Sequence, residues 1–147
     1  MPPATRIAAV KKSPNQRRSA RARRMASRLH LVEQIREGIP STAYTALAQR
    51  LGLTKTELAT TLRIAPRTIL DRRRKKLSPP ESEKMVRVEQ ILNEAEKVFG
   101  SANEAKTWII SPQRGLGFHK PLEMLDTDVG AGHVRDFLSA IKYGNVW

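Results

Sequence analysis

From Leu29 onward, apolar residues recur at helical spacing with caps and breakers between them, and no segment alternates as a strand would. An all-α domain is expected. Leu31, Val32 and Ile35 mark a first helix ended by Gly38 and Pro40. Ser41 is placed to cap a second, with the stripe Tyr44, Leu47, Ala48, Leu51 and a stop at Gly52. Thr54 and Glu57 form a capping-box pair for a short third helix, and Pro66 opens a fourth. Ser78-Pro79-Pro80-Glu81 launches a long helix to Phe99, stopped by Gly100, with the stripe Met85, Val88, Leu92, Ala95, Phe99. That 3-4-3-4 spacing suits either a dimer seam or a core face. Ser101 and Glu104 cap the next helix, through Trp108 to Ile110. Pro121 starts a short one, and Val134, Phe137, Leu138 and Ile141 form the final face, leaving Tyr143 to Trp147 as a free tail.

Charge divides this helical string. The net value is +13 over 147 residues, but residues 1–32 carry +9 with no acid, residues 33–77 carry +6, and residues 78–147 carry −2. A basic half beside a slightly acidic one implies a polyanion-binding end joined to a module with another task. Nucleic acid fits that polyanion better than an anionic membrane, because Ile7, Val10, Met25 and Leu29 are too sparse for an embedded face. Residues 1 to about 26 hold hardly any large apolar group and are expected to form a disordered basic arm, with Ser19 to Arg28 able to turn helical once neutralised. A solubilising tail and an Arg-rich transit peptide are the other readings of this arm. The expected divisions are thus an arm at 1–27, a DNA-binding domain at 28–77 and a second helical domain at 78–147.

Thr54 to Lys76, TKTELATTLRIAPRTILDRRRKK, fits a helix-turn-helix. Ala59 sits where two helices cross closely, and Leu58, Leu62, Ile64 and Ile69 fix their angle. Two positions depart from the pattern: Arg63 stands at the turn, where glycine is usual, and Arg72 where an apolar residue is usual. A side chain at positive φ there costs about 1 kcal/mol, and Arg72 would lay its stem over the core. Arg67, Thr68, Asp71 and Arg74 are expected to face base edges in the major groove. Arg73, Lys75 and Lys76, with Arg18, Arg21, Arg23 and Arg24 of the arm, would neutralise phosphates. Read blandly, the run Arg72 to Lys76 is a solvated helix end beside the negative dipole pole.

Leu77, Ser78, Glu81, Val98, Phe99 and Gly100, then Trp108, Pro112, Leu116-Gly117, Pro121-Leu122, Leu125, Thr127 and Gly130, carry a resemblance to the Xre/MbcA/ParS-type toxin-binding antitoxins of RES–Xre toxin–antitoxin modules. It spans roughly residues 40–147 and departs at Phe118, where a second loop glycine is frequent. The resemblance implies a dimer whose C-terminal helices dock a RES-domain toxin, an NAD-consuming enzyme, with the antitoxin's end obstructing the toxin's active-site entrance. Tyr143, Gly144, Asn145, Val146 and Trp147 suit that role, since exposed aromatics anchor interfaces. A Trp147 folded back on its own domain is the competing reading.

Neither catalysis nor metal chemistry is expected. Zero cysteines and three scattered histidines supply no ligand set. His119 and His133 read as surface residues, and Asp126, Asp128 and Asp136 as caps and surface charge. Gly115 and Gly117 let a loop turn, without any phosphate-cradling pattern around them. No apolar run reaches the roughly 18 residues of a membrane span, and no signal core is seen, so a cytoplasmic protein is expected. The expected partners are a RES-domain toxin, double-stranded operator DNA and a second copy of the chain, with no membrane and no cofactor. The alternative function is a stand-alone dimeric helix-turn-helix transcriptional regulator.

Overall fold

The computed structural model describes residues 11–145, which form seven α-helices and two short 3-10 turns, with isolated bridges as the only β pairing among them. The helices are α1 (Pro14–Glu37), α2 (Ser41–Leu51), α3 (Lys55–Thr61), α4 (Pro66–Leu70), α5 (Pro79–Phe99), α6 (Ala102–Ile109) and α7 (Asp128–Lys142). The 3-10 turns occupy Arg114–Leu116 and Pro121–Met124. The all-α expectation therefore holds. By internal contacts the chain divides at Gln34, into a first unit and a second unit beginning at Ile35.

In the first unit the structure differs from the disordered arm expected up to residue 27. Ser13 and Gln16 form a capping pair in which the Ser13 amide donates to Gln16 Oε1 (3.1 Å) and the Gln16 amide to Ser13 Oγ (3.4 Å). Pro14 follows the cap, where its missing N–H costs nothing. Arg, Ala, Gln, Met and Leu are strong helix formers, and they carry α1 onward with none of its residues buried.

The second unit is built around one core. Tyr44, Leu47, Ala48 and Leu51 of α2 meet Leu58, Ala59 and Leu62 of α3, then Met85, Val88, Ile91, Leu92 and Ala95 of α5. The α5 stripe is thus a core face, and the dimer-seam reading of it falls. The Tyr44 hydroxyl donates to the Lys55 carbonyl (2.9 Å), and burial pushes its pKa up. Both predicted capping boxes are present, Thr54 with Glu57 and Ser78 with Glu81. The two hydrogen bonds it makes with Thr54 hold the Glu57 carboxyl below the usual carboxylate range. Ser41 is not the α2 cap. Its hydroxyl donates instead to the Arg74 carbonyl (2.9 Å), and Pro40 occupies the cap position.

Trp108 of α6 is the hub of the C-terminal half. Its ring lies 5.6 Å from Phe99 and 6.3 Å from Phe137. Gly115 is required here, because a β-carbon at that position would overlap the Phe137 ring. Gly130, in the first turn of α7, is required equally: a β-carbon there would overlap the Met124 carbonyl oxygen. Gly132, two residues on, faces open space.

These two glycines predict opposite outcomes in one helix. Gly130→Ala should destabilise by roughly 1–3 kcal/mol, the range for overpacking a tight site. Gly132→Ala should stabilise by about 0.5–1 kcal/mol, because alanine restricts the unfolded chain. Thermal denaturation of both variants checks the signs.

Candidate nucleic-acid and partner interfaces

The helix-turn-helix is formed by α3 and α4, with Ala59 fully buried at their crossing. Arg63 occupies the turn at φ 54°, so the strained conformation expected of a non-glycine residue there is present. Two groups from the C-terminal half hold it. Lys84 Nζ donates to the Leu62 carbonyl (2.9 Å) and the Arg63 carbonyl (3.4 Å), and the Arg63 guanidinium lies 3.2 Å from the Asp126 carboxylate. Asp126 is thereby a partner of Arg63 rather than the cap or free surface charge expected of it. A groove of about 610 Å³ beside this pair is lined by Thr60, Arg63, His119, Asp126 and Thr127.

The second helix is shorter than the sequence suggests. α4 ends at Leu70, and Asp71 closes it by accepting the Arg73 amide on its carboxylate (2.9 Å). Of the expected base-reading residues, Arg67 and Thr68 therefore lie on α4, Asp71 at its end, and Arg74 beyond it. Arg74 is also engaged internally, 3.6 Å from Glu81. The run Arg72 to Lys76 is not a helix end at all. It is an exposed, non-helical return segment, in which the Lys75 carbonyl accepts from the Ser41 amide (2.9 Å) and Lys76 bridges Pro40. Arg72 consequently has no core to cover. The strong helix propensity of Arg and Lys is overridden by Leu77, which is buried and whose amide donates to the Ile39 carbonyl (2.8 Å). Arg67, Arg72, Arg73, Lys75 and Lys76 remain exposed along α4 and this segment.

At the other end, the residues expected to form a free tail are partly tied down. The Asn145 amide donates to the Ala140 carbonyl (2.8 Å) and Gly144, at φ 71°, to Ile141 (3.1 Å), a Schellman stop for α7. Tyr143 is nonetheless 70% exposed, with Lys142 Nζ 5.5 Å from its ring centre. Val146 and Trp147 lie outside the described residues.

Phe118, in the sequence only a departure from the family pattern, is a surface feature of the structure. Gly117 and Phe118 are both in the left-handed region, so the turn keeps a glycine-like path despite the aromatic side chain. The Phe118 amide donates to the Gln113 carbonyl (2.8 Å), and its ring is 71% exposed. An aromatic at a glycine-like position was the available signal. Among the described residues no helix is long and apolar enough to cross a membrane.

Comparison with known proteins places both ends. Residues 30–89 match the family model of the antitoxin Xre-like helix-turn-helix domain, and residues 94–144 that of the antitoxin Xre/MbcA/ParS C-terminal toxin-binding domain. Neither is an enzyme family. Three proteins named Antitoxin Xre are similar over most of their length. That of Photorhabdus laumondii is 31% identical over 80% of this chain and 81% of its own. That of Pseudomonas putida is 31% identical over 82% and 76%, and that of Yersinia enterocolitica 28% over 78% and 79%. With an Xre-like helix-turn-helix followed by a toxin-binding domain, the chain belongs to the Xre family of antitoxins.

Proposed function

We propose that the protein neutralises a RES-domain toxin by blocking the entrance to its NAD-consuming site, and that as a homodimer it binds operator DNA and represses its own module. The observation that carries the first half is the end of α7. A Schellman stop fixes the direction of the chain there and presents Tyr143, mostly exposed, next to the cationic Lys142. A large aromatic held at a rigid helix end is costly to leave in water and suited to fill a partner's pocket. Phe118 supplies a second exposed aromatic within the same toxin-binding domain, kept there against the cost of positive φ.

For the DNA half, the support is the exposed Arg67 in the first turn of α4, flanked by the basic return segment. A helix's first turn is where this class of domain meets base edges, and the exposed cations of the return segment suit phosphates. Dimerisation would pair two such elements near one DNA turn, about 34 Å apart, on a palindromic site.

Three outcomes test this reading. Tyr143→Ala combined with Trp147→Ala should weaken toxin binding by roughly 30-fold, the scale of losing about 2 kcal/mol at a hot spot, and should let co-expressed toxin deplete cellular NAD. Undiminished protection would favour a stand-alone regulator. Phe118→Gly should weaken toxin binding while leaving the fold as stable or about 1 kcal/mol more so, since strain at φ 63° is relieved. Arg67→Ala should lower operator affinity by about 10- to 100-fold, with unrelated duplex little affected, as read by fluorescence anisotropy at fixed salt.

A further inference from the structure

The helix α1 lies largely outside the matched domains, which begin at residue 30, and none of its residues is buried. Its charge is not scattered. At 100° per residue, Arg17, Arg21, Arg24 and Arg28 fall within an arc of about 60°, a 4-3-4 stripe running some 16 Å along the axis. No acid occurs between Lys11 and Val32. Arg17 Nε donates to the Lys12 carbonyl (3.1 Å), and no carboxylate pairs with the stripe among the described residues.

Such a helix works against itself. Like charges at i, i+4 repel, by about 0.2–0.5 kcal/mol per pair. At the N-terminal end the charges also oppose the helix dipole, with Arg17 and Arg18 near its positive pole and no acid in the first turn. A solvated surface helix gains nothing from this pattern. A polyanion laid along the stripe would relieve both penalties. Arginine dominates, with six Arg against two Lys over residues 11–32, and its planar fork suits phosphate oxygens.

We propose that α1 is a second nucleic-acid element, gripping the phosphate backbone of duplex DNA through the Arg17/Arg21/Arg24/Arg28 stripe without reading bases. The choice of duplex as polyanion rests on the DNA-binding reading above. A membrane surface fits less well, because the exposed apolar residues Met25, Leu29 and Val32 occur only from the middle of the helix onward, and between Asn15 and Arg24 the only apolar residues are alanines.

The test uses full-length protein, a 30-base-pair mixed-sequence duplex, an operator duplex and a potassium series from 50 to 300 mM. Replacing the four stripe arginines by glutamine keeps helix propensity, so far-UV circular dichroism should not change. This variant should lose at least ten-fold in affinity for both duplexes at 150 mM salt. Its slope of log K against log salt should shrink by about 3–4, at roughly 0.9 per phosphate contact. A control replacing Lys11, Lys12, Arg18 and Arg23 by glutamine removes equal charge off the stripe and should lose less than half as much. Equal losses in the two variants, or an unchanged slope, would overturn the proposal. So would loss of binding to phosphatidylserine-containing vesicles in the stripe variant with its duplex slope intact. The operator-to-mixed-sequence affinity ratio reports on the helix-turn-helix separately: a ratio of one in the wild type sinks operator recognition while a slope change still supports α1.

Discussion

The pairing of the chain around Ile39 with the segment ending at Leu77 is the constraint on which the second unit depends. The Leu77 amide donates to Ile39, the Ser41 amide to Lys75, the Ser41 hydroxyl to Arg74, and the Ile39 amide to Ser82 Oγ (2.9 Å). Gly38 makes the approach possible, because any β-carbon there would overlap the Leu77 carbonyl oxygen. With Leu77 buried and Ser78 capping α5, the five residues before them have no freedom to continue α4. The cationic run is therefore kept out of the helix by its backbone contacts, turning at Arg72 and Arg73, and its side chains are left to the solvent.

That arrangement also explains how the two halves share one core. The turn residue Arg63 is held by Lys84 from α5 and by Asp126 from the loop before α7. Because the Arg63 side chain is mostly exposed, its ion pair adds little stability. The Lys84 contacts instead satisfy carbonyls at the end of α3 that helix geometry leaves without partners. The helix-turn-helix turn is thus held by Lys84 of its own matched domain and by Asp126 of the toxin-binding domain.

What was legible in the sequence was what local chemistry decides. Thr54 with Glu57, Ser78 with Glu81, Pro66 and the stops at Gly52 and Gly100 needed only neighbours within a turn, and each occurs as read. The stripes of α2 and α5 named their core faces correctly. The end of α4 was not legible, because it is set by Ile39 and Ser41, about 35 residues away in the chain. Ser41 was misread for the same reason: its hydroxyl answers a distant carbonyl rather than its own helix. The start of α1 was legible in Ser13 and Gln16 but was outweighed by the absence of apolar residues, which decides burial and not helicity. At the site, Arg67 and Tyr143 emerged exposed, whereas Arg74 proved engaged with Glu81 and Phe118 was undervalued.

Charge divides this antitoxin along its chain: cations are concentrated in α1, in α4 and in the return segment, and the exposed aromatics Phe118 and Tyr143 belong to the near-neutral residues 78–147. Amide hydrogen exchange on the full-length protein, with operator duplex and then with toxin, measures this separation directly. Duplex should slow exchange across residues 63–76 and leave 128–145 unchanged, and toxin should do the reverse. Slowing by both ligands over the same segment, or by duplex at the α7 end alone, would contradict it.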